Sequence, residues 1–113
     1  MNKREVGGRY EQLACEYLRE HGLEIITTNF RRKIGEIDII ARDGEYLVFI
    51  EVKYRTYRNQ GGAAYAISTS KQQKIRRVAQ WYMSEFRVNA NTLCRFDAVL
   101  IDGEDITHIK NAW

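Results

Sequence analysis

Apolar residues recur at two different spacings along the chain, and each change of spacing marks an element. Between residues 4 and 21, Val6, Tyr10, Leu13, Ala14, Tyr17 and Leu18 follow the spacing of one helical face, and Gly22 follows as a helix-ending residue. Residues 23–30, 34–42 and 45–55 read as three strands. Asp43-Gly44 lies between the second and third, where it is a strong short-range signal for a tight hairpin. The run Leu47-Val48-Phe49-Ile50 is apolar on both faces, which predicts a central strand covered on both sides. Residues 56–63 form a polar, glycine-containing loop. A second helix has its main body over 71–86, with Ser70 and Gln73 as a capping box and Ile75, Val78, Ala79, Tyr82 and Phe86 as its buried stripe. Strands over 95–101 and 104–109 then pair around Asp102-Gly103. The order α-β-β-β-α-β-β predicts an α/β fold, a mixed sheet flanked by helices, with residues 1–113 as one domain.

Composition narrows the class. With 113 residues, 44% of them hydrophobic and 29% charged, the chain suits a globular domain that folds without disulfides or a structural metal. No apolar run approaches the ~20 residues of a membrane span. The N-terminal MNKREVGGRYEQ lacks the apolar core of a signal peptide, so a cytoplasmic location is expected. Cys15 and Cys94 match no metal or redox spacing and read as reduced, buried thiols. The net charge of +3 says little, but its distribution says more. Arg31, Arg32 and Lys33 form one basic cluster, Lys53, Arg55 and Arg58 a second, and Lys71, Lys74, Arg76 and Arg77 a third. Three such clusters around an acidic site suit a phosphate backbone.

The candidate chemistry lies on the first hairpin. With Asp43-Gly44 as a two-residue turn, Arg42 would face Glu45, Asp38 would face Phe49, and Glu36 would face Glu51. Alternate residues of a strand share a face, so Glu36, Asp38, Glu51 and Lys53 would project together. Asp38 and Glu51 would be diagonal neighbours at roughly 7 Å. Ile37, Ile39, Ile50 and Val52 would form the opposite, core face. Acids set against one another repel unless a cation lies between them, and an all-oxygen ligand set favours Mg²⁺ or Mn²⁺. The plainer alternative is a solvated sheet face with Lys53 paired to Glu51. Glu11 lies at the rim of the first helix's buried stripe, either half exposed or aimed at a partner. Lys71 and Gln72 continue the second helix's stripe towards its N-terminus, a place that suits phosphate. Tyr54, Tyr57 and Tyr65 flank the basic loop and could stack on bases, although tyrosine is also ordinary in strands. Trp81, Tyr82 and Phe86 read as core or a self-association surface. His21 and His108 have no partner at ligand spacing.

The segments GEIDIIARDGEYLVFIEVKYR, GGAAYAISTSKQQKI and CRFDAVLI, in that order, resemble the YraN-type family of small bacterial proteins. The resemblance runs from GGRYEQLACEYLREHG to the terminal IKNAW. It implies an endonuclease-like protein with the restriction-endonuclease fold of the PD-(D/E)xK superfamily, similar in fold and motif layout to archaeal Holliday-junction resolvases. By motif, Asp38 matches the superfamily's metal-binding aspartate, Glu51 its second acid and Lys53 its lysine. Glu11 matches the helix acid that related resolvases place near the metal, and Lys71 and Gln72 fall in the family's SKQ segment. Tyr10 departs from the glycine that more often precedes that helix acid.

Together these readings lead to the expectation of a Mg²⁺- or Mn²⁺-dependent phosphodiesterase acting on DNA, in preference to RNA, and not on a membrane. Asp38, Glu51 and Lys53 would be catalytic, with Asp38, Glu51, Glu11 and Glu36 as the metal set. Arg55, Lys71, Gln72, Lys74 and Arg76 would contact nucleic acid. A branched substrate would suit a homodimer with two sites. Two other classes fit the same residues: a nucleic-acid-binding module of this fold without turnover, and an adaptor whose acids only pair with neighbouring bases.

Overall fold

The computed structural model describes residues 3–55 and 67–113. The elements are α1 (Lys3–Glu20), β1 (Glu24–Arg32), β2 (Gly35–Asp43), β3 (Tyr46–Arg55), α2 (Thr69–Glu85), β4 (Leu93–Asp102) and β5 (Asp105–Ile109). This is the expected order. The loop read over 56–63, with Tyr57, Arg58 and the nearby Tyr65, lies outside the described residues, as does the Val6 side chain. No helix among the described residues is long and apolar enough to cross a membrane.

The five strands form one open mixed sheet in the order β1-β2-β3-β4-β5. β3 and β4 are parallel and every other pair is antiparallel. A parallel pair needs a crossover, and α2 lies within it. β3 is central and buried from Leu47 to Val52, as its two-sided apolar run requires. Its residues alternate between two cores. Val48, Ile50 and Val52 join Ile39, Ala41, Val99 and Ile101 under Ala14, Cys15 and Leu18 of α1. Leu47 and Phe49 join Phe30, Ile37 and Ile40 under Ile75, Val78, Ala79 and Tyr82 of α2. The sheet therefore lies between a helix on one face and a helix on the other.

Four details differ from the sequence expectation. The first concerns the hairpin register: Asp43 pairs with Tyr46 and Ile39 with Ile50, two residues from the expected pairing. Gly44 takes φ 60 as the first of two loop residues, and Glu45 as the second has no positive φ. That is the glycine-first pattern of a type II′ turn, and not a turn centred on Asp-Gly. The second hairpin repeats it: Asp102 pairs with Asp105 around Gly103, at φ 65, and Glu104. A slip of two preserves the face of every side chain, whereas a slip of one would invert it.

The second detail is the α1 stripe, which is rotated. Cys15 is buried and Leu13 is 38% exposed, so the inward row runs Glu11, Ala14, Cys15, Leu18. α1 ends at Gly22, whose φ is 91; Leu23 N–H donates to Leu18 O at 3.0 Å and Gly22 N–H to Arg19 O at 3.1 Å, a Schellman closure. The third detail is the start of α2. Ser68 Oγ accepts the Lys71 N–H at 3.2 Å, so Ser68 is the cap in place of Ser70. At the far end Phe86 is the C-cap, 56% exposed and not part of the buried stripe. The fourth detail is Ile37, which packs in the α2 core and not with Ile39. Neighbouring Asn29 of β1 takes φ 53 between the Thr28–Ile39 and Phe30–Ile37 pairs, while the β1–β2 register itself shifts between Ile25 and Thr27. Asparagine is among the few residues that tolerate this conformation.

Candidate acidic site and its basic surroundings

The irregular end of the β1–β2–β3 ribbon is where the candidate acids meet. Alternation sets Glu51 and Lys53 on the same side as Phe49, towards α2, and Asp38 lies where β2 alternation breaks, between Ile37 of one core and Ile39 of the other. The β2–β3 register stops at Ile39–Ile50; carried one step on, it sets Asp38 against Glu51 directly. Asp38 Oδ2 accepts the Val52 N–H at 2.8 Å, so the carboxylate itself bridges to β3 where the ladder ends. Glu51 is buried at 4% exposure, an unusual place for a carboxylate without partners. Lys53 is exposed on the next position of that face and makes no ion pair among the described residues.

Electrostatics records the crowding. Burial, then the charge of Glu51, pushes the Asp38 carboxyl up to about 8; Glu11 and Glu36 add to the rise, and the Val52 N–H offsets part of it. Burial, followed by Glu36, also raises Glu11; the Asn29 side chain partly offsets this, while Glu51 adds to it. Glu11 Oε1 is buried with no hydrogen-bond partner. Glu36 is paired with Arg31 at 3.2 Å on the exposed side. Glu11 also faces an open cavity of about 310 Å³ between α1 and β1, lined in part by Gln12, Cys15, Arg19, Thr28 and Asn29. Four carboxylates thus share one region with more negative charge than protein donors to satisfy it. An orphaned Glu11 oxygen, and an Asp38 and a Glu11 carboxyl both raised by burial and neighbouring acids, are what a hard divalent cation would relieve. In the arrangement present, no group of three or more His, Cys, Asp or Glu among the described residues is set to hold a metal ion.

Besides Arg31 on Glu36, one further cation among the described residues reaches the acids. Lys71 Nζ lies 2.6 Å from Glu51 Oε1. Of the other residues read as nucleic-acid contacts, Gln72 Nε2 donates to Ile67 O at 2.8 Å. Arg55 pairs with Asp102 at 2.7 Å. The Arg76 guanidinium lies 4.7 Å from the Phe96 ring centre. Lys74 is exposed one turn beyond Lys71, and its Cβ lies 3.8 Å from where a side chain on Gly35 would begin. Lys71 and Lys74 therefore border the acids, whereas Arg55 and Arg76 are directed to other partners. Tyr54 stacks on Tyr10 with ring centres 4.1 Å apart, which ties the start of α1 to the end of β3 beside Glu11.

Sequence reasoning missed two features. Asn29 was read only as a strand residue, and no local signal marks its left-handed backbone. The other is a second polar cluster, around Asp97, which is wholly buried. Its Oδ1 accepts Arg95 Nε at 2.8 Å and Asn111 N at 2.9 Å. Its Oδ2 accepts from Arg95 at 2.9 Å and lies 2.7 Å from His108 Nε2. Arg95 continues to Asp43 at 2.8 Å. Burial alone would raise the Asp97 carboxyl, but donation from His108, Arg95 and Asn111 holds it below its ordinary value. Both oxygens are fully engaged, so this cluster joins β4, β5 and the first hairpin and offers no ligand capacity. An acid amid the apolar run of CRFDAVLI was the available signal.

The acidic cluster, and Asp43, Arg95 and Asp97 of the second one, lie in a segment shared with other proteins. The pattern of the uncharacterised protein family UPF0102 matches residues 10–101. The chain belongs to that family. A UPF0102 protein of Lachnoclostridium phytofermentans is 45% identical over 113 residues, covering 100% of this chain and 96% of the relative. One of Alkalilimnicola ehrlichii is 42% identical over 109 residues, covering 96% and 86%. One of Legionella pneumophila is 44% identical over 111 residues, covering 96% and 94%. The match spans Glu11, Asp38, Glu51, Lys53 and Lys71, so the UPF0102 resemblance covers the acidic site as a whole.

Proposed function

We propose that this UPF0102 protein is a cytoplasmic, metal-dependent endonuclease of the PD-(D/E)xK type that hydrolyses phosphodiester bonds in DNA. The observation that carries this reading is the meeting of Asp38 and Glu51 from adjacent strands, with the Asp38 carboxyl pushed up to about 8 and Lys53 two residues beyond Glu51. A protein that only needed a solvated sheet face would not bury Glu51 opposite Asp38.

Asp38 and Glu51 would hold Mg²⁺ or Mn²⁺, with the Val52 carbonyl as a further oxygen and Glu11 and Glu36 as auxiliary acids. Such an ion, when bound, polarises a phosphate and lowers the pKa of water beside it. Lys53, charged and exposed at the same strand end, stabilises the negative charge that builds on the phosphate. Lys74 and the basic residues of α2's outer face hold the polyanion by charge, without reading its bases. A homodimer carrying two such sites would suit a branched substrate.

A binding module of the same fold without turnover is the second reading. It is favoured by the absence, among the described residues, of three acids set to hold a metal. Cleavage separates the two. Purified protein is incubated with Mg²⁺ or Mn²⁺ and with linear, single-stranded, flapped and four-way DNA, beside Asp38→Ala and Lys53→Ala. Cutting that is lost in both variants supports the endonuclease. Salt-sensitive binding with no cutting leaves the module, and cutting that persists in both variants refutes this site.

A further inference from the structure

Among the described residues Lys71 is the one ammonium that enters the acidic cluster, and the way it is held is uneven. Its partner Glu51 has a side chain only 5% exposed, whereas the Lys71 side chain is 49% exposed and their atoms are 2.6 Å apart. The backbone of Lys71 is fixed independently of that contact. Its N–H donates to Ser68 Oγ at 3.2 Å, and the neighbouring Gln72 ties the helix start to Ile67 O. The ammonium can therefore leave Glu51 by rotation of its own four-carbon stem, with no change in α2.

Something must neutralise Glu51 when no ion is bound, because a lone buried carboxylate is costly. Lys71 does so, but only in part. Asp38 and Glu36 also act on its charge, yet Glu11 Oε1 still has no partner. Glu36 is held by Arg31 and Asp38 by the Val52 N–H, so Lys71 answers Glu51 and leaves Glu11 Oε1 without a donor. Its ammonium engages Glu51 Oε1, an oxygen that a shared ligand set would need.

We propose that Lys71 is an internal counter-ion that occupies Glu51 until a divalent cation replaces it, and that the released ammonium then binds phosphate at the same site. The second half rests on the phosphodiesterase reading; the exchange does not need a nucleic acid to be observed. Exchange makes the apparent metal affinity weaker than the intrinsic one, in proportion to the fraction of molecules whose Glu51 is free. It also means that Lys71 contributes to phosphate binding only when a divalent ion is present.

Calorimetric titration of Mn²⁺ into the wild type, Lys71→Met, Lys71→Gln and Lys74→Met tests the exchange. Removing the ammonium at position 71 should tighten Mn²⁺ binding about tenfold, as expected if Glu51 is free in roughly one molecule in ten. The Lys74 variant removes the same charge one turn away and should change affinity by less than about threefold. Mn²⁺ should also raise the melting temperature of Lys71→Met more than that of the wild type. Lys71→Gln covers the case in which the methionine variant does not fold. Equal affinities across all four proteins would overturn the exchange and leave the metal site standing, as would weaker binding in the position-71 variants. Absence of Mn²⁺ binding in every protein would overturn the exchange and the metal reading together. For the second half, anisotropy of a labelled oligonucleotide is measured with Ca²⁺ and with EDTA. A loss on Lys71→Met that appears only with Ca²⁺ supports the transfer to phosphate, and an equal loss in EDTA refutes it.

Discussion

Asparagine in place of Asp38 is expected to stabilise the metal-free protein strongly at pH 9 and only weakly at pH 5. The Asp38 carboxyl rises from an ordinary 3.8 to about 8 on folding, first through burial and then through Glu51. Between those values the folded state keeps a proton that the unfolded chain has released. Raising the pH through that window therefore weakens the fold, by ~1.4 kcal/mol for each pH unit. The loss reaches about 1–2 kcal/mol at pH 5 and on the order of 5 kcal/mol once the pH exceeds 8. Asparagine removes this titration while keeping an oxygen for the Val52 N–H. For a chain of this size, the gap in melting temperature between variant and wild type should be about 5 °C at pH 5 and roughly 10–20 °C at pH 9. Thermal unfolding followed by circular dichroism in EDTA at both pH values measures it. An equal gap at the two pH values, or a variant less stable than wild type at pH 9, would refute the crowding of acids around Asp38.

The other elements carry their own expectations. Asp97→Asn strips the half-buried Arg95 and His108 of their buried carboxylate and should cost about 3–5 kcal/mol in urea unfolding; a cost under about 1 kcal/mol would show that the cluster is not the anchor of β4 and β5. Leu18→Ala opens a cavity in the fully buried core under α1 and should cost about 2–5 kcal/mol by the same assay. Tyr10→Ala breaks the stack on Tyr54 and should cost about 1 kcal/mol, whereas Tyr10→Phe should be close to neutral.

Much of this was legible in the sequence because the two periodicities are strong. The two-sided apolar run around Phe49 pointed to a central strand, and the acid–isoleucine alternation around Asp38 to a strand beside it, and both elements are present. The hairpin brings Asp38 close to Glu51 as expected, although its register differs from the expected one and Ile37 does not share the core of Ile39. Gly44 and Gly103 each sit first in a type II′ turn, which moved the pairing by two residues and left side-chain parity intact. Other features depend on tertiary contact. Asn29 breaks the strand geometry and sends Ile37 to the α2 core, and no local pattern announces it. Glu11 belongs to the inward row of α1 because that helix reaches the end of the sheet where the acids meet, a placement that helical spacing alone left at the rim. The contact of Lys71 with Glu51 joins residues twenty apart through the crossover, so neither spacing nor composition could pair them. Arg55 shows the converse: a basic residue in a suggestive cluster is paired with Asp102 once β3 and β4 lie side by side.

The central claim is that the Asp38–Glu51–Lys53 site turns over a phosphodiester with a divalent ion. The most direct measurement is the cleavage rate of a labelled four-way DNA in Mn²⁺, for the wild type and Lys53→Ala side by side, with EDTA as the blank. The expected result is cutting by the wild type that stops in EDTA and falls by about 100-fold or more in Lys53→Ala. A rate in Lys53→Ala equal to that of the wild type, or no cutting of any DNA by the wild type with Mn²⁺ bound, would contradict it.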